Sequence, residues 1–200
     1  MQNHGKGHWQ AAKRILKYLK GTKDEGLCYT SRNLKFESNW ELTLWCDASY
    51  AGCIDTRRSR GGYLIYLNDN LVAFNSSLQK CMALGTCDAE YMALSMGLKE
   101  LTWVRMLLEC MGLKVKLPMV VFEDNQAAKS IAENPESSKR TKHIDIRFHH
   151  VREQSEAGNI GIQYVATEKQ KADGMTKDLA RVPFQAFKSH VVDNTKTFFF

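Results

Sequence analysis

The sequence predicts an α/β fold, a five-stranded mixed sheet flanked by helices. Three short apolar segments succeed one another between residues 42 and 74 and are separated by turn residues, which is typical of an antiparallel meander. A long amphipathic segment at 88–111 predicts a helix. Strand and helix patterns then alternate to residue 180, which is the arrangement of parallel strands joined by helices.

The meander is predicted from periodicity and from its turns. Residues 42–47 alternate between apolar and polar side chains, and residues 61–67 form an apolar run. The third segment, 71–74, comes after a turn at 68–70, and so short a connection joins antiparallel neighbours. The later predicted elements are a strand at 119–122, a helix at 127–132, a helix at about 144–157, a strand at 160–165 and a helix at 168–180.

The ends of the chain differ from its centre. Residues 1–30 contain a predicted helix at 7–20 with one apolar stripe and a possible strand at 26–30, and we expect them to be separable from the rest of the chain. Residues 31–41 are polar and predict a linker, and residues 42–181 form the predicted main domain. The tail at 182–200 has no clear period.

Composition limits the classes of function. The formal net charge of +6 over 200 residues favours a polyanionic partner without requiring one. No apolar run reaches the roughly 18 residues of a membrane span, and the N-terminus carries no apolar signal, so we expect a soluble intracellular protein. The six cysteines lack C-x-x-C spacing and the six histidines lack H-x-x-x-H spacing, which argues against a structural zinc site.

Four acidic residues lie where a sheet edge can collect them. Asp47 ends the first strand, Glu90 lies in the first turn of the long helix, Asp124 comes after the fourth strand and Asp173 lies on the last predicted helix. Taken singly, each has an ordinary explanation as a turn residue, a helix-dipole partner, a helix cap or a surface acid. Together they would repel one another without cations, and their oxygen ligands suit Mg²⁺ or Mn²⁺.

Six motifs in order identify a family. They are CDASYAG at 46–52, TRRS at 56–59 with GY at 62–63, AEYMAL at 89–94, EDNQAA at 123–128, RTKHIDIR at 140–147 and QKAD at 170–173. With these motifs, residues 42–180 resemble the ribonuclease H domain at the end of the copia-type retrotransposon polyprotein. Residues 9–22 are similar to the end of the reverse transcriptase region of that polyprotein, which implies that residues 1–30 are its C-terminal remnant.

The resemblance implies a ribonuclease H-like fold and a nuclease that hydrolyses the RNA strand of RNA/DNA hybrids during reverse transcription. It implies Asp47, Glu90, Asp124 and Asp173 as catalytic and metal-binding acids for two Mg²⁺ ions, which Mn²⁺ can replace. The implied partners are the hybrid and the reverse transcriptase domain of the same polyprotein. The implied location is the cytoplasm, in the virus-like particle of an intact element, or the nucleus.

Basic side chains around this site are candidates for phosphate contacts, although such charges are often only solvated. The candidates are Arg57, Arg58, Lys139, Arg140, Lys142 and Arg147.

Three departures from the family pattern stand out. The loop at 166–169 has no histidine where relatives often carry one, and residues 77–81 lack the usual lysine pair. Gly174 stands where a bulky apolar residue is expected, and we expect it to loosen the last helix.

Two other functions are compatible with parts of the pattern. One is a catalytically weak or inactive nucleic-acid-binding scaffold from a decayed or domesticated element. The other is an integrase or transposase core, in which Glu153 or Glu156 would be the third acid; the acids at 90 and 173 argue against it. Polymerase activity is excluded for this segment, because it contains no Y-x-D-D motif.

Overall fold

The computed structural model describes residues 4–27, 29–30, 39–133 and 145–192. Five strands form one sheet in the order β3-β2-β1-β4-β5. Strands β1 to β3 are antiparallel, whereas β4 and β5 run parallel to β1. The predicted mixed sheet is confirmed. The strands are β1 (Leu42–Ser49), β2 (Arg60–Leu67), β3 (Asn70–Leu78), β4 (Met119–Glu123) and β5 (Ile160–Tyr164).

Helices cover both faces of the sheet. They are α1 (Lys6–Gly21), α2 (Thr86–Cys110), α3 (Gln126–Glu133), α4 (Asp145–Glu156) and α5 (Arg181–Val191). The long helix α2 packs on β1 and β2, and Gly97 permits the close approach, because a Cβ there would lie 2.8 Å from Leu44 Cδ1. Leu44 and Cys46 belong to the hydrophobic core between α2 and the sheet, whereas Trp45 belongs to a second core on the opposite face. The period of two therefore directs Asp47 away from α2.

The predicted helix at 168–180 is wrong. This segment forms two 3₁₀ turns, Thr167–Lys169 and Asp173–Met175. Its polar side chains bond to the sheet instead of supporting a helix, since Gln170 Nε2 donates to the carbonyl oxygen of Cys46 at 2.9 Å. Ser76 Oγ also donates to the carbonyl oxygen of Met175 at 2.5 Å. Contacts with β1 and β3 thus override local helix propensity.

The expectation that the tail lacks periodic structure is also wrong in its first part, because Arg181–Val191 forms α5. Phe187 and Val191 of α5 pack against the core around Trp45, and Tyr66 Oη donates to the carbonyl oxygen of His190 at 3.0 Å. The remainder of the predicted tail, from residue 193, lies outside the described residues.

The N-terminal helix is confirmed, but its apolar stripe is not buried. Trp9, Ile15 and Leu16 are 59%, 62% and 64% exposed. The segment contacts α5 through the ring of Tyr18, 6.0 Å from that of Phe184. The strand expected at 26–30 is absent from the described residues of that range. Residue 28 lies outside the described part. Within the described chain, no helix is long and apolar enough to cross a membrane.

Candidate metal centre

The fold brings all four predicted acids to one edge of the sheet. Ligand atoms of Asp47, Asp124 and Asp173 lie within 4.8 Å of one another. A second group with the same spacing consists of Glu90, Glu123 and Asp124. Asp124 comes directly after β4 and belongs to both groups, which makes it the junction of the acidic cluster.

Asp47 is fully buried and bonded to the segment that comes after the 3₁₀ turns. Thr176 Oγ1 donates to Asp47 Oδ2, and Lys177 Nζ lies 3.1 Å from Asp47 Oδ1. A buried carboxylate needs such partners, because its desolvation is costly. Gly62, opposite Asp47 in the β1–β2 ladder, makes room for this segment, since a Cβ there would lie 2.5 Å from Met175 Cβ.

Lys177 joins two acids of the first group. Its Nζ atom lies 2.7 Å from Asp173 Oδ1 in addition to its bond with Asp47. Burial lowers the pKa of Lys177, but its bonds to Asp173 and Asp47 outweigh that effect and hold the pKa above its usual value. Burial raises the pKa of Asp173, and the hydrogen bond from Lys177 opposes this. Lys177 therefore remains a cation between the two carboxyl groups.

The other two predicted acids are less well paired. Glu90 is only 9% exposed, and its Oε2 atom has no hydrogen-bond partner among the described residues. Burial, followed by the charges of Glu123, Asp47 and Asp124, raises the pKa of Glu90 to about 10. Burial also raises the pKa of Asp124, and a hydrogen bond from the side chain of Thr167 opposes it. Thr167 lies in the loop that lacks the family histidine.

Glu123 is a fifth acid of the cluster, and it is absent from the predicted set. Its side chain is fully buried. Glu123 Oε2 accepts a bond from Cys46 Sγ at 3.3 Å, and Oε1 accepts one from the backbone N–H of Asn125 at 3.1 Å. Burial raises its pKa to about 8. The alternation of β4 could have revealed it, because Glu123 comes after Met119 and Val121 at steps of two, on the core side of the strand.

These residues fit a divalent cation. Five carboxyl groups face the single ammonium group of Lys177 within the described part of the site. A buried carboxylate oxygen without a partner, as at Glu90, is costly unless a proton or a cation compensates it. Carboxylate oxygens are the ligands that Mg²⁺ and Mn²⁺ prefer.

Little of the predicted phosphate-contact set can be placed. Arg57 is exposed, with a positive φ of 53° in the loop between β1 and β2. Arg58 is half-buried, and its Nε lies 3.4 Å from Thr56 Oγ1. Lys139, Arg140 and Lys142 lie outside the described residues, as does the side chain of Arg147 on α4. All of these contacts remain predictions.

Gly174 does not loosen a helix, contrary to expectation. A Cβ at this position would overlap the ring of Phe187, so glycine lets α5 pack directly on the 3₁₀ turn of Asp173. A bulky residue there would displace either the turn or α5. The departure from the family pattern is thus matched by a close contact.

The sequence is similar to known proteins over most of its length. The chain is 38% identical over 191 residues to the retrovirus-related Pol polyprotein from transposon TNT 1-94 of Nicotiana tabacum, covering 96% of this chain and 14% of that protein. It is 35% identical over 184 residues to the corresponding polyprotein from transposon RE2 of Arabidopsis thaliana, covering 92% of this chain and 12% of that protein. No protein-family model matches the sequence.

Among solved structures, the chain aligns with the crystal structure of LC11-RNase H1 in complex with RNA/DNA hybrid. Its sequence identity is 14% and its TM-score 0.49, and the alignment covers 68% of this chain and 94% of that one.

The sheet order and the acids gathered at its edge define a mixed α/β domain with a carboxylate cluster. Over most of its length, the chain is homologous to a short part of the retrovirus-related Pol polyproteins of copia-type transposons.

Proposed function

We propose that this domain is a metal-dependent endonuclease that hydrolyses the RNA strand of RNA/DNA hybrids during retrotransposon reverse transcription. The observation that carries the proposal is the presence of two clusters of three acidic residues at the sheet edge, both of which include Asp124. A site of this kind has no evident structural use, because buried acids without compensation destabilise a fold. Metal-assisted hydrolysis of a phosphodiester is the chemistry that uses it.

Asp47, Glu90, Asp124 and Asp173 would hold two Mg²⁺ ions, with Mn²⁺ as a substitute. When bound, such ions lower the pKa of a water molecule and neutralise charge on a reacting phosphate. The protein orients its own ligands through direct bonds. Thr176 and Lys177 fix the carboxylate of Asp47.

The setting of the proposed activity is inferred from the relatives. Their names describe Pol polyproteins, so the partner in the same polyprotein would be the reverse transcriptase domain. We propose residues 1–30 as the remnant of that region, 31–41 as a linker and 42–181 as the nuclease domain. The place of action would be the cytoplasmic virus-like particle, or the nucleus.

The test is cleavage of a labelled RNA/DNA hybrid with Mg²⁺, Mn²⁺ or EDTA. We expect metal-dependent cleavage of the RNA strand only, and a loss of at least a hundredfold in Asp124→Asn. Glu109→Gln is the control for loss of one carboxylate, because Glu109 is half-exposed and pairs only locally with Arg105. Cleavage by Asp124→Asn at the rate of the unchanged protein would refute the site. Hybrid binding by the unchanged protein without cleavage would favour a scaffold role.

A further inference from the structure

The C-terminal half of α2 carries an apolar stripe that faces away from the core. Its members recur at steps of three and four residues, so they lie on one face of the helix. Four of them are between 45% and 66% exposed, and the fifth is an exposed free cysteine. Contiguous exposed apolar side chains of this kind mark an interaction surface. The α2 stripe consists of Trp103, Met106, Leu107, Cys110 and Met111.

The fold itself does not use the α2 stripe. Leu101, Val104 and Leu108 already provide the face of the helix that belongs to the core. On the flank of the helix, Arg105 is engaged within the chain, because its Nε pairs with Glu109 and its Nη1 lies 2.8 Å from Asn159 Oδ1. The apolar residues of the stripe are therefore additional to those that hold α2 on the sheet.

The charges at the two ends of the stripe favour a second copy of the same surface as its partner. Lys99 is exposed and lies four residues before Trp103, on the same face of the helix. The other end is the C-terminus of α2, whose last turn contains no basic residue. A helix C-terminus carries partial negative charge. If two α2 helices pack antiparallel, each Lys99 lies beside the negative end of the partner helix, so one end of the surface complements the other.

The apolar side chains also match in an antiparallel pair centred on Leu107. Trp103 and Met111 are each four residues from Leu107, in opposite directions, so Trp103 faces the partner's Met111. A thioether beside an aromatic ring is a favourable contact. Lys99 is eight residues from Leu107, or about 12 Å along the axis, which extends just beyond the end of the partner helix. One twofold axis therefore matches both the apolar and the charged parts of the surface.

A second exposed apolar stripe, on α1, does not suit this kind of contact. Trp9, Ile15 and Leu16 are exposed on α1. The charged side chains of α1 are five cations, with no acid among them. Two copies of α1 would therefore repel each other at close range. Of the two stripes, only that of α2 is complementary to itself in charge.

We propose that the α2 stripe is a dimer interface, in which a second copy of the chain packs its own α2 antiparallel about a twofold axis near Leu107. The contact is isologous, because the same residues serve both copies. Its apolar area is small, so we expect association at micromolar concentrations. The acidic cluster stays open, because Glu90 lies 17 residues before Leu107, about 25 Å along the helix. The inference does not depend on the proposed nuclease activity.

Sedimentation velocity at protein concentrations from about 1 to 100 µM, without nucleic acid or metal, tests the dimer. The unchanged protein should show a monomer–dimer equilibrium. Trp103→Glu should raise the Kd of the dimer at least tenfold, because it places a charge in an apolar contact. Val182→Glu is the matched control, because Val182 is 76% exposed on α5, and it should leave the Kd unchanged. Thermal unfolding checks that both variants fold.

Charge reversal and crosslinking test the antiparallel geometry. Lys99→Glu should raise the Kd at least about threefold, because it places an acid beside the negative end of the partner helix, whereas Lys17→Glu on α1 should not change it. The two Cys110 thiols of the dimer lie on the shared face, about 9 Å apart along the axis, so a short bismaleimide should join them. Cys110→Ser should abolish this crosslink, whereas Cys81→Ser, at another exposed thiol, should retain it.

A monomer at every concentration would overturn the inference, as would an unchanged Kd in Trp103→Glu. Loss of the dimer in Trp9→Glu would also overturn it, because the contact would then involve α1. Association that is seen only after addition of an RNA/DNA hybrid would overturn it as well, since the nucleic acid would then bring the copies together.

Discussion

The ammonium group of Lys177 lies 3.1 Å from the buried carboxylate of Asp47, and the same nitrogen atom lies 2.7 Å from Asp173. A lysine thus neutralises part of the acidic cluster from within. It ties the segment after the second 3₁₀ turn to the centre of the sheet. A cation bound to these carboxylates, as we propose, would have to share them with Lys177, and this residue would then couple the stability of the domain to metal binding.

Replacing Lys177 by methionine should destabilise the metal-free protein, because the buried carboxyl group of Asp47 would lose its ionic partner. We expect a loss of about 1–3 kcal/mol in the free energy of unfolding, at the low end of that range because Lys177 is 35% exposed. Urea unfolding in EDTA measures it. Mg²⁺ should stabilise this variant more than the unchanged protein.

The control for that change is Lys188→Met, which removes a lysine paired with Glu25 away from the site. It should leave the stabilisation by Mg²⁺ unaltered. An equal Mg²⁺ effect in Lys177→Met and in the unchanged protein would show that Lys177 does not compete for the carboxylates.

Adding a methyl group at Gly174 should destabilise the domain through a clash with Phe187. Overpacking of this kind costs about 1–3 kcal/mol, and we expect Gly174→Ala to fall in that range. The control is a double-mutant cycle with Phe187→Ala, in which the added methyl group should cost much less. Equal costs in both backgrounds, measured by thermal unfolding, would contradict the packing argument.

The stability of the metal-free protein should fall as the pH rises from about 5 to about 8. The ordinary pKa of a glutamate is 4.5, whereas the folded protein raises the pKa of Glu123 to about 8 and that of Glu90 to about 10. Across this window the folded state retains protons that the unfolded state has released. Stability therefore decreases with increasing pH, and continues to decrease toward pH 10.

Unfolding by urea at several pH values in EDTA measures this dependence. Glu123→Gln should give a shallower fall between pH 5 and 8, whereas Glu109→Gln should behave like the unchanged protein. Because a bound cation replaces the protons, saturating Mg²⁺ should also flatten the curve. A wild-type stability that rises over this window would be inconsistent with the raised pKa values.

Arg57 should contribute to hybrid binding if the loop after β1 contacts phosphates. When cleavage is blocked, Arg57→Ala should weaken the binding of the protein to the hybrid. It should also reduce the slope of log affinity against log salt by about 1. Fluorescence anisotropy at several salt concentrations measures both. Arg105→Ala, which removes an arginine paired on α2, is the control. An unchanged slope in Arg57→Ala would remove the loop from the binding surface.

The meeting of Asp47, Glu90 and Asp124 was predictable because each is close to a pattern that can be recognised locally. Asp47 and Asp124 lie at the ends of strands with clear apolar periods, and Glu90 begins the longest amphipathic helix. Asp173 was predicted on the wrong element but at the correct edge. The carboxyl ends of parallel strands lie at the same edge of a sheet, whichever loops connect them. The prediction that acids at strand ends meet therefore did not need the loop structure.

The sequence by itself determined the order of the strands, the long helix and the acids that the strand ends carry, because these depend on periodicities of two and 3.6 within short windows. Only the tertiary structure decided the turns around Asp173, since they depend on bonds from Gln170 and Thr176 to residues more than 120 positions away. It likewise decided that Glu123 faces Glu90. A buried acid is favourable or costly according to its neighbours, and those neighbours come from elements that no local pattern joins.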